Sequence, residues 1–291
     1  MKKEYEALKK QVARKKGFGP EMHDLLFNVI GAAGRVLEEC EKVELPTPLK
    51  GKTYHKLIAP NKYESRPMNT TLASDSMEES SEVFREILLG GRKDFTAEQI
   101  TRAAYTVGIS CCAGIDVTKK SDRKTQGSLF EWICAVLMEG VLGVRPQRSL
   151  EVLNLDLKGK LPTDLVFDLG SEKPKFHIPV KTSTRERIIQ VWAHQRMLDG
   201  VYGTGRFLAM PIILTETRLE AKTQKVTEIC LPWQWRLYQM HIATLWHVCY
   251  FDAPSEYLKL NHVFPPIRVV TIGELLQDGG KMDELLAEHG I

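Results

Sequence analysis

An aspartate and a lysine lie near the ends of two consecutive apolar runs in the middle of the chain. Asp164 follows Pro162 at the head of the first run, and Lys181 comes at the end of the second. Residues 170–174 between the runs are of turn-forming types, so the runs are predicted to be neighbouring strands of a hairpin. The two side chains would then meet at one end of a sheet.

A carboxylate beside a lysine is a minimal site for metal-dependent hydrolysis of a phosphodiester bond. The carboxylate holds Mg²⁺, whose bound water becomes a stronger nucleophile, and the lysine stabilises the attacking water and the charge that develops on the phosphate. Each residue also has a simpler interpretation. Asp164 is a common turn residue after proline, and Lys181 could be an exposed charge at a strand end. Their joint occurrence favours the nuclease site.

Three charged residues, Arg185, Glu186 and Arg187, open the helix that is predicted after the second strand. Arginine donates two hydrogen bonds to guanine O6 and N7, and glutamate accepts one from cytosine N4, so the triplet fits two adjacent G·C pairs in a major groove. Alternatively, Ser183 and Glu186 form a capping box, which requires no DNA. Two arginines in a first helical turn face the positive end of the helix dipole, and this unfavourable placement favours DNA reading.

These residues resemble the PD-(D/E)xK superfamily, and within it the type II restriction endonucleases of the branch represented by EcoRII, SsoII and NgoMIV, which cut sites built on CC and GG. The resemblance rests on Asp164 and on residues 181–187. It implies a restriction-endonuclease-like sheet, with Asp164 binding the metal, Lys181 acting as the catalytic lysine and the triplet contacting bases. It also implies Mg²⁺ as the cofactor.

The chain departs from the superfamily pattern at the expected acidic positions. Pro179 lies two residues before the lysine, where the commonest form of the motif has an acid. The branch that the chain resembles also lacks this acid and takes one from the following helix instead. In this chain the matching helix positions hold His194 and Gln195, so the relocated acid is missing.

Glu131 is the predicted second acidic metal ligand, because the branch that the chain resembles also uses a glutamate from a helix ahead of the sheet. Glu131 and Ser128 also fit a capping box at the start of that helix. Glu139, further along the same helix, is the reserve candidate, and its alternative role is a surface charge at a helix end.

A basic segment ahead of this helix is a candidate for contact with DNA phosphates, with exposure to solvent as the equal alternative. Its residues are Lys119, Lys120, Arg123 and Lys124.

The composition is that of an ordinary globular protein. The 291 residues are 43% hydrophobic and 26% charged, and the net charge of +3 is compatible with nucleic-acid binding without indicating it. The N-terminus lacks the apolar run of a signal peptide, and no stretch of about 18 apolar residues exists to span a bilayer. Six cysteines without Cys-x-x-Cys spacing argue against structural zinc and favour free thiols in a reducing cytoplasm.

Two regions are predicted from the pattern along the chain. Residues 1 to about 45 have helical spacing, and residues 46–81 lack periodicity and are predicted to be a loop. From Gly127 onward short β-rich runs alternate with helices, which predicts an α/β fold with a mixed sheet flanked by helices. We expect a helical accessory region at 1–95, for dimerisation or DNA clamping, and the catalytic domain at 96–291.

The predicted activity is that of a Mg²⁺-dependent type II restriction endonuclease that cuts double-stranded DNA at a short palindromic site with adjacent G·C pairs. A two-fold symmetric homodimer would match such a palindrome. Two alternatives remain open: a repair or junction nuclease of the same fold, and a DNA-binding regulator that has lost its metal site.

Overall fold

A computed structural model describes residues 1–15, 20–120, 122–154, 157–170 and 173–277 of the protein. The helices are α1 (Lys2–Lys15), α2 (Pro20–Glu38), α3 (Met77–Leu88), α4 (Ala97–Thr118), α5 (Arg123–Leu142), α6 (Ile189–Tyr202), α7 (Pro232–His241), α8 (Ser255–Leu258) and α9 (Ile272–Gln277). The strands are β1 (Glu41–Leu45), β2 (Tyr54–Ile58), β3 (Met68–Asn69), β4 (Gln147–Asn154), β5 (Leu157–Phe167), β6 (Lys175–Ile178), β7 (Val180–Lys181), β8 (Phe207–Ala209), β9 (Ile212–Ile213), β10 (Thr217–Leu219), β11 (Val226–Glu228), β12 (Val248–Tyr250) and β13 (Val269–Thr271).

Two four-stranded sheets form the centre of the molecule, with the strand orders β4-β5-β6-β8 and β7-β9-β12-β13. They continue into each other as one mixed sheet, because Pro179 alone separates β6 from β7, residues 210–211 separate β8 from β9, and the N–H of Met210 donates to the carbonyl of His177 at 2.9 Å. Strands β4, β5 and β6 pair antiparallel, and the remaining pairs are parallel. Pro179 separates β6 from β7, because it has no N–H for a ladder. The chain nevertheless stays in the sheet, since the N–H of Ile212 donates to the Pro179 carbonyl at 2.8 Å. The mixed α/β architecture predicted from the sequence is thereby confirmed.

Helix α4 forms the centre of the helical layer and is buried on nearly all sides. It begins with a capping box, in which Thr96 and Gln99 exchange side-chain and backbone hydrogen bonds. Small residues allow other elements to approach it closely. A Cβ atom at Gly108, for example, would lie only 3.2 Å from a methyl group of Leu214, so glycine lets α4 press directly against the sheet.

The N-terminal region differs from its prediction in two places. The helical pattern ends at Glu38, where β1 follows, and the predicted loop at residues 46–81 contains β2 and β3, which complete an antiparallel three-stranded sheet. Strand β2 is buried although it contains His55 and Lys56. The ammonium of Lys56 donates to the carboxylate of Glu64 and to the side-chain oxygen of Gln224, each at 2.7 Å. Because its charge is paired in this way, Lys56 can be buried, and β2 forms without an alternation of apolar and polar residues.

One hydrophobic core extends across the expected boundary at residue 95. It joins Leu26 and Phe84 in the N-terminal helices to Ile100 in α4 and to Leu165 in the central sheet. The ammonium of Lys52 adds a polar link, because it donates to carboxylates of Glu228 and Asp252 at 2.7 Å each. The division into an accessory and a catalytic region stays a prediction. In the described ranges, no helix has both the length and the apolar character that crossing a membrane requires.

Candidate active site

Strands β5 and β7 bring Asp164 and Lys181 together at one end of the sheet. The Lys181 ammonium donates to Asp164 Oδ2 at 2.6 Å, and the backbone N–H of Val180 donates to the same oxygen at 2.8 Å. Both side chains are partly exposed, 28% for Asp164 and 36% for Lys181. The predicted juxtaposition is therefore present, and a substrate can reach it from solvent.

The end of the β5–β6 ladder explains how Asp164 is held. Pairing between these strands runs as far as Leu165 and Ile178. Beyond that point the N–H of Val180 turns to the Asp164 carboxylate instead of a strand carbonyl. The carboxylate is thus fixed through Oδ2, and Oδ1 has no hydrogen-bond partner among the described residues.

Glu131 approaches this pair from helix α5. Its side chain is only 14% exposed and forms an ion pair with Arg148 on β4. Burial raises the pKa of Glu131 to about 7; the Arg148 charge opposes the rise, the Asp164 carboxylate adds to it, and the Lys181 ammonium opposes it. The charges of Asp164 and Lys181 thus both act on the Glu131 carboxyl, and helix α5, which carries it, packs against β5 and β7.

The reserve candidate, Glu139, lies in a different environment. It pairs with Arg145 at 3.6 Å, and burial raises its pKa while only Arg145 opposes the rise. Neither the Asp164 nor the Lys181 charge affects the pKa of Glu139, in contrast to that of Glu131.

The capping box predicted at Ser128 is wrong, because α5 begins five residues earlier, at Arg123. Its N-cap is Asp122, whose carboxylate accepts the N–H of Thr125 at 3.0 Å. Glu131 consequently lies within the helix, where no role in capping remains for it.

Of the two helix positions that replace the expected acid, His194 is the one on which the charges of the site act. Burial lowers its pKa; the Lys181 charge lowers it further, and the Asp164 charge opposes this effect. Its ring centroid is 6.0 Å from that of His177, a buried residue of β6 whose two ring nitrogens have no hydrogen-bond partner among the described residues. Gln195 has a structural role, since its amide donates to the carbonyl of Phe207 at 2.9 Å.

The predicted reading helix starts with a different geometry. Residues Arg185–Ile188 form a 3₁₀ turn, and α6 proper begins at Ile189. The N-cap of the turn is Thr184 rather than Ser183. Arg185 has a φ of 47°, in the left-handed region that non-glycine residues rarely adopt.

The side chains of Arg185 and Arg187 are exposed, and neither guanidinium has a partner within the described parts of the chain. The side chain of Glu186 lies outside the described structure. Within the described residues, two guanidinium groups without a partner thus lie four and six positions after Lys181.

One residue of this region gave no signal in the sequence. Glu216, at the end of an apolar run, is 1% exposed, and its carboxylate accepts hydrogen bonds from Thr184, Arg185 and Tyr250. Burial raises its pKa, and these donors oppose the rise. Its partner Thr184 is 32 positions away, so no local spacing could have revealed the contact.

In the predicted basic segment, Arg123 and Lys124 belong to the first turn of α5, and Lys119 and Lys120 follow the end of α4. Lys119 forms an ion pair with Asp122, the capping residue of that helix. Lys120 and Lys124 are exposed, and the side chain of Arg123 lies outside the described structure. Contact of this segment with DNA phosphates stays a prediction.

The donors at the site suit Mg²⁺. In the described residues no group of three or more His, Cys, Asp or Glu side chains is arranged to hold a metal ion. Mg²⁺, however, commonly binds through one or two carboxylates and keeps waters and substrate phosphate oxygens as its other ligands. Asp164 Oδ1 and the carboxyl of Glu131 are two oxygen donors of this kind.

Replacing Glu131 with glutamine should stabilise the metal-free protein at high pH. Its folded pKa of about 7 exceeds the ordinary value of 4.5, so between these pH values the folded chain binds a proton that the unfolded chain has released. The stability contributed by Glu131 therefore falls as the pH rises from 4.5 to 7. We expect the variant to gain about 1–3 kcal/mol at pH 8 and almost nothing at pH 4.5.

Urea unfolding at both pH values in the presence of EDTA measures this difference. Loss of stability in Glu131→Gln at pH 8 would show that the carboxylate is stabilised by its surroundings, contrary to the expected burial penalty.

No protein-family model matches this chain, and no curated protein sequence matches it significantly. Solved structures similar to it include the type IIP restriction endonuclease Kpn2I, with a TM-score of 0.81, 22% identity and coverage of 98% of this chain and 97% of that chain. A complex of the restriction endonuclease PspGI with substrate DNA has a TM-score of 0.46 and 12% identity, and covers 72% of this chain and 93% of that chain. The similarity to Kpn2I extends over nearly the whole of both chains, and the protein therefore has a restriction-endonuclease fold, as the resemblance in its sequence implied.

Proposed function

We propose that the protein is a sequence-specific endonuclease that hydrolyses phosphodiester bonds of double-stranded DNA with Mg²⁺, at a short palindromic site containing adjacent G·C pairs. The observation that supports the proposal is the contact between Asp164 and Lys181 at 2.6 Å, together with the exposed Arg185 four positions later, whose guanidinium has no partner among the described residues. The proposed catalytic lysine and a proposed base-reading arginine thus lie on one short segment of chain.

Lys181 and Asp164 have complementary roles in the proposed reaction. The ammonium of Lys181 has three N–H donors, of which one is engaged by Asp164, so the others can bind the attacking water or a phosphate oxygen. Asp164 Oδ1 and Glu131 would hold Mg²⁺. When bound, Mg²⁺ supplies Lewis-acid stabilisation of the phosphate charge and lowers the pKa of a coordinated water.

The arginines would recognise bases close to the cut. Four residues of extended chain span at most about 14 Å, so the backbones of Lys181 and Arg185 are no further apart than this. That distance corresponds to roughly four base pairs of B-DNA. We therefore expect the cut inside or directly beside the sequence that is read. Guanine O6 and N7 are the acceptors that a guanidinium fits best.

A homodimer is the matching assembly. A palindromic site presents the same bases and the same scissile phosphate twice, related by a two-fold axis, and two copies of this chain would engage both halves identically. In the same proposal, residues 1–95 serve dimerisation or DNA clamping.

Incubation of the purified protein with unmodified plasmid DNA tests the function. We expect discrete linear fragments in the presence of Mg²⁺ and none after addition of EDTA. Cleavage confined to branched or damaged DNA would indicate a repair nuclease instead. Specific binding without any Mg²⁺-dependent cleavage would indicate a regulator and would contradict the proposal.

A further inference from the structure

A single buried carboxylate holds the segment that joins the lysine of the site to the exposed arginines. Glu216 lies just before β10, and its two oxygens accept the backbone N–H of Thr184 at 3.0 and 3.1 Å. The N–H of Arg185 donates to Oε2 at 3.4 Å, and the hydroxyl of Thr184 donates to Oε1. Tyr250 on β12 completes the set, with its phenol donating to Oε1 at 3.0 Å.

Residues 214 and 215, directly before Glu216, also bind the segment, at Lys181 and Thr182. The N–H of Leu214 donates to the carbonyl of Lys181 at 3.0 Å, and the N–H of Thr215 donates to the carbonyl of Thr182 at 3.3 Å. Residues 214–216 therefore fix the chain from 181 to 185 as one unit. Any displacement of the arginines relative to the lysine requires that this attachment loosen.

The geometry at Arg185 shows why an attachment is needed. With a φ of 47°, Arg185 is held in a left-handed conformation that an L residue adopts only when its surroundings impose it. The preceding residue, Thr184, is 2% exposed and gives both its N–H and its hydroxyl to Glu216. The carboxylate thus stabilises the turn that directs the Arg185 side chain into solvent.

We propose that Glu216 is a positioning residue that fixes residues 184–187, the reading segment, relative to Lys181 and thereby determines the sequence specificity of cleavage. This inference rests on the proposed function. The bonds that Glu216 accepts from Thr184 and Arg185 are charge-assisted and belong to the reading segment itself, so they control where that segment lies without contacting DNA.

The variant Glu216→Gln tests the inference, and Glu228→Gln is its matched control. Glu228 is also a buried carboxylate and lies on the strand paired with β10, yet its partner is Lys52 and not the reading segment. The measurement is the ratio of cleavage rates on the preferred site and on sites with one changed base pair. We expect this ratio to fall about tenfold or more in Glu216→Gln, because the substitution weakens a charge-assisted hydrogen bond. In the control the ratio should fall about twofold or less.

Thermal unfolding of both variants separates positioning from general stability. If the melting temperature of Glu216→Gln falls while its ratio of cleavage rates stays at the wild-type value, Glu216 has only a structural role and the inference is overturned. If that variant does not fold, Tyr250→Phe removes only one donor to Glu216 and should lower the ratio in the same direction; an unchanged ratio would then overturn the inference. A wild-type protein without sequence-specific cleavage would instead refute the proposed function.

Discussion

Lys181→Ala should abolish cleavage while leaving sequence-specific binding of DNA nearly unchanged. The variant removes the ammonium that contacts Asp164 and would bind the attacking water or the phosphate, and loss of such a group lowers rates by about 10²–10⁴-fold. The fold should be little affected, because a partly exposed ion pair contributes only about 0–1 kcal/mol. Single-turnover cleavage and binding to a short duplex in the absence of Mg²⁺ measure the two effects.

The same hairpin offers a matched control for this prediction. Lys175 forms an ion pair with Asp168 at 2.5 Å, and the two side chains are about as exposed as those of the Asp164–Lys181 pair. Lys175→Ala therefore removes an equivalent charge from β6, six positions before Lys181. Equal loss of activity in both variants would mean that Lys181 acts through folding or net charge, and that it is not part of the catalytic site.

Arg185→Ala and Arg187→Ala should each weaken binding to the preferred sequence by about 1–3 kcal/mol and should relax the choice of base at one position. Both guanidinium groups are exposed and lack partners in the described structure, so neither substitution should change the melting temperature appreciably. Binding is measured against specific and nonspecific duplexes at one salt concentration, since loss of a phosphate contact would weaken both equally.

Arg102→Ala supplies the control for net charge. Arg102 lies on α4 and forms an exposed ion pair with Glu98 at 3.6 Å, in a helix that carries none of the candidate site residues. This variant should retain the full difference in affinity between the two duplexes. An equal effect of all three arginine variants on both duplexes would refute base reading by residues 185 and 187.

The features predicted correctly from the sequence are those that depend on neighbours along the chain. The contact between Asp164 and Lys181 follows from a hairpin whose turn is visible in residues 170–174. The alternation of β-rich runs with helical segments along the chain was sufficient to predict the mixed sheet.

The features that were missed depend on contacts across the fold. Glu216 reaches Thr184 across 32 positions, and Glu131 pairs with Arg148 on another element. Strand β2 was missed because its buried Lys56 is paired with Glu64 and with Gln224, which lies 168 positions away in the chain. The left-handed conformation of Arg185 was equally invisible, since no glycine or asparagine marks it.

The central claim is that one short segment of chain both cuts DNA and reads it, and sequencing the ends of digested genomic DNA tests this most directly. The Asp164–Lys181 site with its neighbouring arginines predicts Mg²⁺-dependent ends that share one palindromic sequence with adjacent G·C pairs, cut within about four base pairs of them. Ends without a common sequence, or cuts at a distance from the sequence that is read, would contradict the claim.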